Sequence, residues 1–203
     1  MELTANHITL RGSLLSLPLY SHENHGRRFF RFYLEVPRLS GAVDVLPVIA
    51  REDVLSAMEL SDGEMLTVTG QVRSHNVRED SRRRLLIFVF ANLIVCEDGE
   101  PLNEVVLEGP LCREPTYRKT PLGREICDVM LAVPRAFRRA DYLPCILWGR
   151  TALECAQFHT RDILRITGRL QSRTYTKVLE SGSEERTAYE ISALTAQRVE
   201  LEA

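Results

Sequence analysis

The chain has 203 residues, 44% of them hydrophobic and 27% charged, so it is long enough for one domain or two small ones and too apolar to be disordered. Its net charge of −2 and pI near 6.2 fail the global test for a nucleic-acid binder, so any such activity has to come from where charge is placed. The longest apolar run is Leu85–Ala91, seven residues, which excludes a helical membrane span; the N-terminus lacks a secretory pattern, and five cysteines with no CxxC point away from disulfide and zinc frameworks and toward a reducing cytoplasm.

The first predicted element, NHITLRGSLLSLPLY from Asn6, recurs as NEVVLEGPLCREPTY from Asn103, an offset of 97. The same offset carries Gly26 and Arg27 onto Gly123 and Arg124, Leu34, Val36, Pro37 and Arg38 onto Leu131, Val133, Pro134 and Arg135, and Asp44, Leu46 and Pro47 onto Asp141, Leu143 and Pro144. These and the six matches in the first element make 15 identities over the 42 positions 6–47. Further on the offset is 98, with MLTVTGQVRS (65–74) matching ILRITGRLQS (163–172). Two units are expected, 1–99 and 103–203, joined by EDGEPL (97–102).

The second unit is the easier to read. Val105–Arg113 alternates as a strand, a turn follows around Pro115–Gly123, and Ile126–Val133 and Tyr142–Trp148 read as the second and third strands. Thr151–Phe158 has the content of a short helix, and Ile163–Arg173 and Ala188–Leu194 complete five strands. The order β-β-β-α-β-β in such a length fits an OB barrel plugged by one helix, although a generic five-stranded barrel has the same periodicity. The expected fold class is all-β with short helices: two tandem OB-fold five-stranded barrels.

NEVVLEGPLCREP (103–115), TPLGREICDVMLAV (120–133), DYLPCILWGR (141–150) and DILRITGRLQSRTYT (162–176) resemble, in order and spacing, the bacterial single-stranded DNA-binding protein family. PVIA (47–50) in the more divergent first unit is similar to primosomal replication protein N. The resemblance implies single-stranded DNA as partner, base-stacking aromatics at the positions of Phe137, Tyr142, Trp148 and Tyr175, and an assembly of four OB folds, hence a homodimer. Typical members carry an acidic recruitment tail; QRVELEA (197–203) follows the last strand directly, so no such tail is expected.

Alternation selects overlapping residues without the family. Leu143, Cys145 and Leu147 alternate as a core face, leaving Tyr142, Pro144, Ile146 and Trp148 outward. Leu164, Ile166, Gly168 and Leu170 face inward, leaving Arg165, Thr167, Arg169, Gln171 and Arg173 outward with Tyr175 in the same parity. Arg135, Phe137, Arg138 and Arg139 share the loop before the third strand, and Lys177 follows the fourth. Aromatics stack on bases and arginines fork onto phosphates, so this mixture fits a single strand. Taken alone, Trp148 reads as a core or interface residue and the arginines as a solvated face.

Unit one has Ser40, Val45, Arg51 and Val77 where unit two has these four aromatics, which points to protein contact there. Its secondary DNA-contact candidates are Phe29, Arg31 and Tyr33 in FFRFY (29–33), with Arg73, Arg82, Arg83 and Arg84 around the hairpin NVREDSRRRL (76–85). The corresponding segment of unit two, Thr174–Arg186, reads as a long polar loop. No HExxH, Walker, GxSxG or GxGxxG motif occurs, and the five histidines show no metal spacing, so no catalytic residue, metal or cofactor is expected. The expected function is non-catalytic, largely sequence-independent binding of single-stranded DNA, mainly on unit two. RNA is an equivalent ligand for the same chemistry, and a primosome-type protein-interaction module is the alternative.

Overall fold

A computed structural model describes residues 5–79, 82–179 and 182–200, without the side chains of Glu79, Arg82, Arg83, Lys177, Val178 and Leu179. The chain runs β1 (Asn6–Asn24), β2 (Arg27–Pro37), β3 (Val43–Arg51), α1 (Glu52–Leu55), β4 (Met65–Glu79) and β5 (Arg82–Cys96), then β6 (Leu102–Pro110), β7 (Thr116–Lys119), β8 (Glu125–Arg135), β9 (Arg139–Trp148), α2 (Gly149–Cys155), β10 (Ile163–Leu179) and β11 (Gly182–Arg198). β1 pairs with both β2 and β4, and the circuit β1-β2-β3-β5-β4 closes a five-stranded barrel. Strands β6-β10-β11-β9-β8 repeat that circuit, with a Leu111–Leu131 bridge at the closing seam and β7 added as a hairpin on β8. This is the OB architecture, twice.

Alternation explains the barrels. Ile8, Leu10 and Leu14 of β1 are buried while His7, Thr9, Arg11 and Ser13 between them are half-buried. Leu10, Leu14, Leu34 and Leu46 and their repeat partners Leu107, Leu111, Leu131 and Leu143 are all essentially inaccessible, so the repeat seen in sequence is a repeat of core register. Each such side chain contributes roughly 1.5–3 kcal/mol on burial. The repeated glycines have a steric cause. A Cβ at Gly70 would overlap the Phe90 carbonyl oxygen, and one at Gly168 the Ser192 carbonyl oxygen, both where a bulge shifts the register against the neighbouring strand.

The two barrels join edge to edge. β1 pairs antiparallel with β6, and Ile8 lies opposite Val105, its own counterpart at offset 97. A local twofold axis therefore passes through that pair. Two related locks flank it. Buried Asp44 receives Arg38 through Nε (2.7 Å) and Nη2 (2.5 Å), and the Ser172 amide donates to it at 2.7 Å. Buried Asp141 receives Arg135 at 3.2 Å and Arg73 at 3.4 Å, and the Ser74 amide donates to it at 2.8 Å. Asn6 and Asn103 are related in the same way, each bonding the amide and carbonyl of one residue, Val72 and Leu170 respectively.

Several elements differ from the sequence expectation. The stretch read as a turn after Pro115 holds β7, paired to β8 from Thr116↔Asp128 to Lys119↔Glu125. The stretch read as a loop from Thr174 to Arg186 is strand in its described residues: β10 and β11 pair continuously to Leu179↔Gly182, because alternating Thr174, Thr176 and Val178 suit a strand. Ile146, expected outward, is buried, and so is Gln171. The outer face of β10 is partly covered by the other barrel, where Arg169 lines one cavity with Val36, Pro37 and Leu39, and on β9 Ile146 lies between Asp128 and Ser192 in neighbouring strands. Among the described residues no helix is long and apolar enough to cross a membrane.

Candidate nucleic-acid interface

A groove of about 1580 Å³ runs between the barrels. Its first wall is the outer face of β2, β3 and β5: Phe29, Arg31 and Tyr33, then Pro47 and Ile49, then Arg84, Phe88 and Phe90. The opposite wall comes from β8, β9 and the β10–β11 hairpin: Arg135, Arg139, Pro144, Tyr175, Arg186 and Tyr189. Arg73, Ser74 and His75 of β4 line it as well. Among the described lining residues are six arginines and no carboxylate, in a chain of net charge −2. Placement produces a basic surface that the total charge hides.

The arginines are held. Asp141 grips Arg73 and Arg135 from beneath, Gln71 accepts from Arg73, and the Arg73 guanidinium lies 5.6 Å from the Phe90 ring centroid. Burial lowers the Arg73 pKa, and neighbouring Arg135 acts in the same direction against Asp141. Arg31 lies 5.9 Å over Tyr33. The Phe29 ring stacks on His22 at 4.7 Å and sits 6.2 Å from Phe90, forming an aromatic bank. Burial raises the Tyr189 phenol; Tyr33 adds to that and Arg84 opposes it, and all three line the groove together. An arrangement of aromatic faces interleaved with forked cations can stack planar rings and hold phosphates.

The structure brings together Phe29, Arg31, Tyr33, Arg73 and Arg84 from the secondary set with Arg135, Arg139 and Tyr175 from the principal one. Phe137, Tyr142 and Trp148 do not line this groove, although all three are exposed, Phe137 at 94%. Phe137 and Arg138 occupy the hairpin tip between groove residues Arg135 and Arg139, both with left-handed φ (60° and 54°), which costs roughly 1–2 kcal/mol per residue. Tyr142 is tied to the first barrel by its amide, which donates to Ser74 Oγ at 2.7 Å. Arg165 lies 3.7 Å from Glu108, and Arg173 sits over Tyr175 and 4.0 Å from Glu190. Arg169, expected outward, is half-buried in the junction between barrels, because the first barrel covers that part of β10. The side chains of Arg82, Arg83 and Lys177 lie outside the described residues.

Sequence reasoning missed Phe88, Phe90, Tyr189 and Arg186. For the two phenylalanines a signal existed: in LLIFVFA, Ile87, Val89 and Ala91 are the buried parity and Phe88 and Phe90 the other. Among the described residues no group of three or more His, Cys, Asp or Glu converges as a metal site.

Residues 102–199 match the model of the single-strand binding protein family. The single-stranded DNA-binding protein B of Bacillus subtilis is 36% identical over 80 residues, 36% of this chain and 71% of that protein. Protein A of the same organism is 41% identical over 81 residues, 36% of this chain and 47% of its own length. The chain spans about half the length of the first curated relatives it matches. Among solved structures, the wild-type single-stranded DNA binding protein from Thermus aquaticus superposes with a TM-score of 0.79 at 22% identity, covering 98% of this chain and 94% of that one, a likeness of fold. With a matching family model over its second barrel and a relative covered across most of its length, the chain belongs to the single-strand binding protein family.

Proposed function

We propose that the protein binds single-stranded DNA, without catalysis and largely without sequence preference, in the groove between its barrels. The lining, with six arginines, interleaved aromatics and no carboxylate among its described residues, is the observation that carries this reading. Bases stack on Phe29, Tyr33, Phe88, Phe90 and Tyr175, while Arg31, Arg73, Arg84, Arg135 and Arg139 hold phosphates. Phe137, Tyr142 and Trp148, with Arg138, Arg165 and Arg173, carry the strand on across the second barrel. The strained, solvated Phe137 supports this, since a strained residue that buries nothing points to a use outside the fold. Residues 1–99 and 103–203 act as two OB units, and two copies give four. Such a protein serves replication, repair, recombination or transfer of mobile DNA in the cytoplasm.

Fluorescence anisotropy with labelled oligo-dT over a range of salt tests the reading. The expected result is tight, salt-sensitive binding, with a log–log slope of about −0.7 per phosphate neutralised. An absence of binding at low salt overturns it, and equal affinity for oligo-U extends the ligand to RNA.

A further inference from the structure

The local twofold places a second corner opposite the groove's Arg135–Asp141–Ser74 corner, built from Arg38, Asp44 and Ser172. Beside it lies a cavity of about 130 Å³ lined by Arg38, Asp44, Asn103 and Arg169, with Pro37 and Leu39 among its apolar walls. Asp44 is fully engaged by Arg38 and by the amide and hydroxyl of Ser172, so those charges cancel. The Asn103 amide group is used by Leu170. Arg169 is different: its Nε, like that of Arg73, is buried with no hydrogen-bond partner, but unlike Arg73 it makes no ion pair among the described residues.

The repeat shows how this cation came to stand alone. The first barrel has Gln71 and Arg73, and Arg73 is paired with Asp141 and Gln71. The second barrel reverses the order to Arg169 and Gln171, and Gln171 instead donates to Glu190 at 2.9 Å. The swap moves the positive charge two residues along the strand, out of the position that pairs with an aspartate and into a cavity whose own Asp44 is already taken by Arg38. A half-buried guanidinium without a countercharge is costly, and a phosphate that meets it from the cavity supplies both acceptors and countercharge.

We infer that this cavity takes a single phosphate of a DNA strand, outside the main groove, with Arg169 as its ligand. The inference rests on the groove reading and lengthens the bound strand beyond it. The test is the full chain against its R169Q variant, which restores the residue of the other barrel, with R169K to retain the charge. Each is titrated with oligo-dT of increasing length at several salt concentrations. For oligomers long enough to leave the groove, the R169Q slope should fall by about 0.7, one phosphate, with a several-fold loss of affinity. The shortest oligomers should bind as in the wild type, and R169K should keep the slope. Identical slopes for wild type and R169Q at every length overturn the proposal while leaving the groove reading intact, whereas a wild type that binds no oligomer overturns the groove reading itself. Inorganic phosphate, followed by the Arg169 side-chain NMR signal, separates the sources. If phosphate shifts that signal while R169Q leaves oligomer binding unchanged, the cavity is a free-anion site and the backbone contact is overturned.

Discussion

Asp141 shows how one residue serves fold and site together. It is fully buried, yet it holds two groove arginines and the Ser74 amide of the opposite barrel. Asp141→Ala leaves that amide and those cations without their acceptor, and a loss of about 1–3 kcal/mol is expected in urea unfolding, as for Asp44→Ala at the related lock. Phe29 is only half-buried and stacks on His22 at the groove wall. Phe29→Ala should therefore fold normally and weaken oligo-dT binding by about 1–3 kcal/mol; unchanged affinity would remove that wall from the path. The cysteines divide by burial. Burial holds the Cys145 thiol far above its ordinary range and pushes Cys155 up to about 12, whereas Cys96 and Cys112 are exposed. A thiol reagent at pH 8 should modify Cys96 and Cys112 in the native protein, and reach Cys127, Cys145 and Cys155 only on unfolding, since the thiolate is the reactive form.

At the scale of elements, the bulged glycines give the sharpest expectation. Gly70→Ala and Gly168→Ala each drive a methyl group into the backbone of the adjoining strand, so each should lower stability by about 1–3 kcal/mol or more, measured by thermal melting. The sequence announced these positions, because the TG pair recurs at an offset of 98. Ile126–Val133 within β8 and Tyr142–Trp148 within β9 were legible because their core faces, Cys127, Val129, Leu131 and Val133, and Leu143, Cys145 and Leu147, repeat with the period two that the pleat sets. The long β10–β11 hairpin was not, because residues 173–176 and 182–185 in its outer half are exposed and leave no apolar pattern. The four-residue β7 was hidden likewise, with all its residues exposed. What holds these segments is cross-strand pairing, and a strand's partner is not written in its own residues.

Across the whole molecule, the β1–β6 seam and the two aspartate locks make the barrels a quasi-symmetric pair. Denaturation should then be a single transition, with the fluorescence of Trp148 in the second barrel coinciding with far-UV circular dichroism from both. Removing both locks, as D44A with D141A, should separate the two curves; coincidence in that variant would place the coupling in the seam alone. The repeat, the barrel class and the family resemblance of the second unit followed from sequence by itself, because core alternation and close-packed glycines are local requirements that every copy of the fold must meet. The groove did not. Four of its aromatics, Phe29, Tyr33, Phe88 and Phe90, lie on the first barrel, the one read as the protein-binding unit, while Tyr175 and Tyr189 lie on the second, and its arginines come from both. Arg73, Arg135 and Tyr175 are far apart along the chain, and only the antiparallel pairing of β1 with β6 sets their faces toward each other. That pairing also decided which outward-pointing side chains reach solvent and which, like Arg169 and Gln171, are covered by the other barrel, since alternation specifies a face of a strand and tertiary structure specifies what stands opposite it.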